Sequence, residues 1–158
     1  MKFSIKKYIF GATSAIITNM ALIAGLHNSA NAKLSIIGSL FVIALADNLS
    51  DSMGIHIYQE AETSSTRDVW FATGTNFLAR LAVSLGFITI VFLLPLDIAV
   101  YVSALYGLVV LAIFSYVIGK IRNVHPIYSA VEHVVIAIIV IFVSNYLGNF
   151  ISGGFSSF

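Results

Sequence analysis

Five long apolar stretches make up most of this chain, and only short polar segments separate them. An α-helix rises about 1.5 Å per residue, so about 20 apolar residues cross the roughly 30 Å hydrocarbon core of a bilayer. Backbone groups in lipid must be hydrogen-bonded within the protein, which favours helices for stretches of this length. The pattern predicts an all-α integral membrane protein, a single transmembrane domain over residues 1–158, with transmembrane helices at about 8–26, 34–58, 71–94, 98–119 and 127–151.

The composition excludes several other classes of protein. Of the residues, 59% are hydrophobic and 9% are charged, against about 25% charged residues in an ordinary soluble domain. The net charge of +1 provides no large basic surface for nucleic acid. The sequence has no cysteine, so thiolate metal sites, iron–sulfur clusters and cysteine nucleophiles are excluded.

The distribution of basic residues predicts the orientation in the membrane. We interpret the first stretch as a retained helix rather than a signal peptide, because the apolar pattern resumes within a few residues of its end. With the N-terminus in the cytoplasm, seven of the eight basic residues lie at or near the inner face, and only Lys33 lies outside. We expect a multi-pass protein of a prokaryotic cell (inner) membrane.

Acidic residues are concentrated in one segment. Five of the seven fall between Asp47 and Asp68, and Asp47 and Asp51 stand one helical turn apart on one face of the second span. Each acid near the centre of a membrane helix costs about 2.5–3.5 kcal/mol, so the pair needs a partner or a water-filled cavity. A divalent cation would relieve the repulsion between the carboxylates, and such a pair can exchange two protons for one metal ion.

Further potential ligands surround this pair. Asn48 and Ser50 offer hard oxygen atoms, whereas Met53 and His56 favour softer first-row transition metals. Met53, His56 and Glu60 form a second stripe, roughly opposite the two aspartates, so one helix cannot direct both stripes at one ion. We therefore predict either two sites along a path or one stripe with a structural role.

Each of these residues also has a structural interpretation. Arg80 lies inside the third span and could form an intramembrane ion pair with Asp47 and Asp51. Met53 could simply fill the core, and His56 with Glu60 could be a solvated pair at the inner boundary. Glu132 opens the fifth helix near the same face, where it fits a gate or a solvated interfacial residue equally well.

Several short motifs resemble those of vacuolar iron transporter (CCC1-type) proteins. That family carries Gly-x-x-Asp-Gly and Ala-Leu-Val-Ala-Gly-Leu in its first helix, and residues 11–15 and 21–26 here are Gly-Ala-Thr-Ser-Ala and Ala-Leu-Ile-Ala-Gly-Leu. The family's Ser-Met-Gly-x-x-x-Tyr corresponds to residues 52–58, and the later spans are also similar at residues 94–96 and 145–148. The resemblance covers nearly the whole chain, as a short member without the family's cytoplasmic metal-binding helices.

The resemblance implies a homodimer that moves Fe²⁺ or Mn²⁺ out of the cytoplasm between its protomers, in exchange for protons. It places a metal-path residue at Met53. The family's first-helix aspartate falls on Ser14, and a glutamate of its second helix falls on Leu45, whereas the acids of this chain stand at Asp47 and Asp51.

Independently of the resemblance, a two-fold axis would bring four aspartates together and shield a polar span from lipid. Small residues that could permit close helix approach are Gly11, Ala15, Gly38, Ser103 and Gly107.

Two other classes of protein fit parts of the pattern. Asp47-x-x-x-Asp51 is similar to the magnesium–diphosphate motifs of lipid and prenyl transferases, but no second acidic motif is present. A small non-transporting membrane protein could use the acids only to pair with Arg80. The expected function is nevertheless transport without enzymatic activity or a cofactor, with metal ions, protons, the bilayer and a second copy as partners.

Overall fold

The computed structural model describes residues 5–62 and 65–154 and is all-α, with no strand in those two ranges. The elements, in chain order, are α1 (Ile5–Leu26), α2 (Ala32–Val42), a π-helical turn (Ile43–Asp47), α3 (Asn48–Glu62), α4 (Thr66–Leu93), α5 (Leu96–Ile121) and α6 (Pro126–Gly154). The π-helical turn joins α2 and α3 into one continuous helix. The predicted all-α fold is confirmed.

Four of the helices are long and apolar enough to cross a membrane: Ala32–Glu62, Thr66–Leu93, Leu96–Ile121 and Pro126–Gly153. The chain thus fits an integral multi-pass membrane protein. The first helix has a shorter apolar part, Gly11–Leu26. Three of the four long helices extend beyond the predicted apolar spans at both ends, because polar residues continue the helices. At one such end Ser65 caps α4, and its side chain accepts a hydrogen bond from the backbone N–H of Asp68.

Helix α1 lies at the centre of the bundle and packs against α2, α4, α5 and α6. Its side chains Ile16, Met20 and Ile23 are buried in the hydrophobic core together with Phe87 of α4 and Leu111 of α5. In contrast, only 6% of the most apolar window of α6 is buried. The outer face of α6 is therefore available to lipid or to another protein.

Small residues allow the helices to approach closely. A Cβ atom at Gly148 of α6 would overlap the carbonyl oxygen of Gly25 in α1, and one at Gly107 of α5 would overlap Met20. Of the small residues that the sequence suggested for close helix approach, Gly11, Ala15, Ser103 and Gly107 are buried, whereas Gly38 is exposed. Those four therefore serve packing inside one chain.

Candidate functional site

Two charged residues stand at the midpoints of neighbouring spans. Asp47 is at the middle of the 31-residue helix Ala32–Glu62, and Arg80 is at the middle of the 28-residue helix α4. Because α3 packs against α4, the two residues face each other near the centre of the apolar region. An unpaired charge at this depth is costly, so each of these residues needs a partner of opposite charge.

Arg80 binds both aspartates. Its Nη2 atom lies 2.9 Å from Oδ2 of Asp47, and its Nη1 atom lies 2.7 Å from Oδ2 of Asp51. The Arg80 side chain is 1% exposed, whereas those of Asp47 and Asp51 are 42% and 47% exposed. The ion pair that the sequence allowed as an alternative to metal binding is thus present, and its acidic side faces the protein surface.

Asn48 completes the coordination of the arginine, and the π-helical turn explains its position. In this turn the backbone N–H of Asn48 donates to the carbonyl of Ile43 instead of that of Ala44. The side-chain Nδ2 of Asn48 donates to the Ala44 carbonyl in its place, at 3.1 Å. Oδ1 of Asn48 then accepts a hydrogen bond from Nε of Arg80 at 3.0 Å, while Nη1 also donates to the Gly11 carbonyl at 3.3 Å.

A buried polar network extends from this site in both directions along α4. Toward one end, the Ser84 hydroxyl accepts hydrogen bonds from Nδ2 of Asn48 at 3.4 Å and from Nδ2 of Asn19 at 3.1 Å. Toward the other end, Asn76 donates to the Ser52 hydroxyl, which donates to the backbone carbonyl of Asn48. This network ties α1, α3 and α4 together around Arg80.

A second polar cluster surrounds His56, nearer the end of α3. The Thr73 hydroxyl donates to the Val69 carbonyl at 2.9 Å, so its oxygen accepts from Nδ1 of His56 at 3.0 Å. The other ring nitrogen, Nε2, lies 3.4 Å from Oε1 of Glu60. The His56 ring also packs against the Trp70 ring in an edge-to-face arrangement. His56 is therefore a buried residue held by α4, and its only carboxylate neighbour in the described chain is Glu60.

The other predicted site residues do not join Asp47 and Asp51 in one group. Met53 is 41% exposed and lies two residues beyond Asp51, which turns it to the other side of α3. Ser50 is exposed, and Ser14 is half-buried in α1. Glu132 is exposed in the second turn of α6. In residues 5–62 and 65–154, no three His, Asp or Glu side chains form a group that could hold a metal ion.

Sequence reasoning missed Asn76 and Ser84, and it did not connect Asn48 with the arginine. Asn76, Arg80 and Ser84 recur every fourth residue in an otherwise apolar span, and Asn48, Ser52 and His56 recur in the same way in α3. This spacing places each set on one helix face, so the two faces could have been paired from the sequence. The π-helical turn changes the position of Asn48 on the helix, and the spacing of polar residues does not predict this change.

No known family model, curated protein or solved structure matches the chain. The resemblance to vacuolar iron transporters therefore stays a prediction.

The charges of the site define what it can do chemically. Two carboxylates and one guanidinium leave the group with one formal negative charge, on its exposed side. Arg80 contacts Oδ2 of each aspartate, and the aspartate side chains are 42% and 47% exposed, so a ligand can reach the carboxylates from the surface. The site is suited to attract a cation, not an anion.

Proposed function

We propose that the chain is a five-helix membrane transporter that moves a divalent transition-metal ion, Fe²⁺ or Mn²⁺, out of the cytoplasm in exchange for protons. One observation carries the proposal: Asp47 and Asp51 stand in the middle of an apolar span with about half of each side chain exposed. Acids in this position require a water-filled path or a covering protein, and they mark ion pathways in membrane proteins.

The charge of the site supports a divalent ion as the substrate. One protomer presents one uncompensated negative charge. Two protomers around a two-fold axis would present two such charges, which one divalent cation neutralises. Carboxylate oxygens bind Mn²⁺ and Fe²⁺ well, and His56 with Glu60 would provide a further position along the path.

The surface beside the aspartates supports a homodimer. Ala46, Ser50 and Gly54 are exposed and recur every fourth residue next to Asp47 and Asp51. No atom lies within 4 Å of the position that a Cβ at Gly54 would occupy. Small residues with this spacing let helices approach closely in membranes, so a second copy can cover the carboxylates here.

The proposed orientation places the N-terminus in the cytoplasm of a prokaryotic cell and the protein in its inner membrane. The basic residues near the inner face in this orientation are Lys2, Lys6, Lys7, Arg67, Lys120 and Arg122. Lys120 and Arg122 lie at the end of α5, whereas Arg80, which the sequence also suggested for this face, stands at the middle of α4.

Metal flux into proteoliposomes tests the proposal. Purified protein would be reconstituted with a metal-sensitive dye inside, and Fe²⁺, Mn²⁺, Zn²⁺ and Co²⁺ would be added outside with and without a pH gradient. We expect uptake of Fe²⁺ or Mn²⁺ that increases when the interior is acidic. Absence of uptake for all four metals would contradict the proposal.

A non-transporting membrane protein is the second candidate, and the contact of Arg80 with both aspartates favours it. In that case the three charged residues stabilise the packing of α3 against α4 or an assembly. The two candidates differ in one result: replacing both aspartates would lower stability in either case, but would abolish metal flux only in a transporter.

A further inference from the structure

The turn between α5 and α6 contains a polar cavity at the edge of the apolar region. Helix α5 ends at Ile121, and α6 begins at Pro126. The cavity has a volume of about 300 Å³ and is lined by Arg122, Val124, His125, Tyr128, Ser129 and Glu132. It therefore combines a cationic and an anionic side chain at the level where a membrane changes from hydrocarbon to headgroups.

An apolar groove continues from this cavity along α6. It has a volume of about 540 Å³ and shares His125, Tyr128 and Glu132 with the polar cavity. Its remaining lining residues are Ile127, Val131, Val135 and Ile136. The polar end thus leads without interruption into an apolar surface that faces outward from the bundle.

The two charged side chains of the cavity have no ion-pair partner in the described chain. Within residues 5–62 and 65–154, the side chains of Arg122 and Glu132 make no ion pair with each other or with another residue. Ser129 is 7% exposed and also lines the cavity. The cavity thus offers a cationic, an anionic and a hydroxyl side chain, so a ligand with charged and polar atoms fits this position.

We propose that this turn binds a membrane phospholipid with an amine headgroup, such as phosphatidylethanolamine. Arg122 binds the phosphate, because a guanidinium matches its geometry and charge. Ser129 donates its hydroxyl to the same group, and Glu132 binds the headgroup ammonium. One acyl chain lies in the groove along Val131 and Val135. The opposite charges of Arg122 and Glu132 select this zwitterionic lipid over an anionic one.

Neither a soluble phosphate compound nor a second protein copy explains the site as well. A soluble ligand would leave the apolar groove unused, and an apolar protein surface would leave Arg122 and Glu132 unpaired. The proposal does not depend on metal transport, since it needs only that the turn lies at a membrane surface.

Native mass spectrometry of the purified full-length protein tests this site. The probes are phosphatidylethanolamine, phosphatidylglycerol and the soluble compound glycerophosphoethanolamine, each added at equal concentration. We expect a retained phosphatidylethanolamine adduct, weaker retention of phosphatidylglycerol and none of the soluble compound. Equal retention of the two lipids, or retention of the soluble compound, would overturn the proposal.

Three variants locate the site. Arg122→Gln should reduce phosphatidylethanolamine retention about tenfold, the loss expected for a charge-assisted contact. Glu132→Gln should remove the preference for phosphatidylethanolamine over phosphatidylglycerol. Lys120→Gln is the matched control, because Lys120 stands near the same turn but contacts the Tyr116 ring and does not line the cavity.

The unfolding temperature of each variant shows whether the exposed substitutions leave the fold intact. Equal effects of Arg122→Gln and Lys120→Gln on lipid retention would show that lipids bind nonspecifically to basic residues, and would contradict a specific site in the cavity. If Val131→Glu altered the oligomeric state without changing lipid retention, the groove would be a protein interface and the proposal would be wrong.

Discussion

Nη1 of Arg80 lies 2.7 Å from Oδ2 of Asp51, and the two side chains differ sharply in exposure. The arginine is buried among α1, α3 and α4, whereas about half of the aspartate side chain is exposed. The arginine can remain at this depth only because its donors are satisfied by Asp47, Asp51, Asn48 and the Gly11 carbonyl. The positive charge of the site therefore lies in the interior on Arg80, and its negative charge lies at the accessible surface on the two aspartates.

Removing Arg80 alone should destabilise the protein. Arg80→Met leaves Asp47 and Asp51 without their cation and Asn48 and the Gly11 carbonyl without the guanidinium donors, and we expect a loss of about 1–3 kcal/mol. The matched comparison is Arg80→Met combined with Asp47→Asn and Asp51→Asn, which should recover part of the stability. Unfolding in detergent, followed by circular dichroism, measures both. A single variant as stable as the wild type would contradict the role of the arginine.

Replacing Asn48 tests whether this residue links the π-helical turn to Arg80. Asn48→Leu removes the acceptor of Arg80 Nε and the donor to the Ala44 carbonyl. Because buried polar groups then lack partners, we expect a loss of about 1–3 kcal/mol in the free energy of unfolding. The neighbouring exposed residue provides the control, since Ser50→Ala should change stability by less than about 0.5 kcal/mol. Equal effects of the two substitutions would show that the Asn48 contacts are unimportant.

The contact of α1 with α6 depends on a glycine. Gly148→Ala would place a methyl group on the Gly25 carbonyl oxygen, so the helices must separate, at a cost of about 1–3 kcal/mol. Gly74→Ala in α4 is the control, because a Cβ there meets no atom within 4 Å. Thermal unfolding of both variants in the same detergent makes the comparison. A Gly148→Ala protein with unchanged stability would contradict the close packing.

The proposed dimer surface can be tested separately from protomer stability. Gly54→Leu adds a bulky side chain to the exposed face beside Asp51, at a position where a Cβ atom meets nothing within 4 Å. We expect it to lower the dimer fraction about tenfold or more, measured by single-molecule photobleaching in bilayers. Gly74→Leu places the same side chain on an exposed position of α4 and should leave the dimer intact. If both variants dimerise like the wild type, α3 does not form the interface.

The sequence predicted the helices better than it predicted the site. Long apolar stretches determine where helices lie, so the four long spans were located to within a few residues at most ends. Their ends were predicted short because residues such as Gln59 and Glu62 are polar but continue α3. The possible pairing of Arg80 with the aspartates also followed from its position in an apolar span.

The surroundings of the arginine required the three-dimensional structure. The role of Asn48 depends on a π-helical turn, which changes hydrogen bonding without changing the hydropathy pattern. Likewise, His56 was interpreted as part of a metal stripe or as a solvated pair, but the packing of α4 buries it against Thr73. Tertiary contacts between helices, which periodicity alone does not specify, determine both environments.

Asp47 and Asp51 are proposed to bind a divalent ion on its way across the membrane. The most direct measurement is Mn²⁺ uptake into proteoliposomes by the wild type, by Asp47→Asn with Asp51→Asn, and by Asp97→Asn as the control for an exposed acid in α5. We predict uptake by the wild type and the control, and uptake at the level of protein-free liposomes for the double variant. Uptake by the double variant at the wild-type rate, with equal amounts of folded protein in the membrane, would contradict the account.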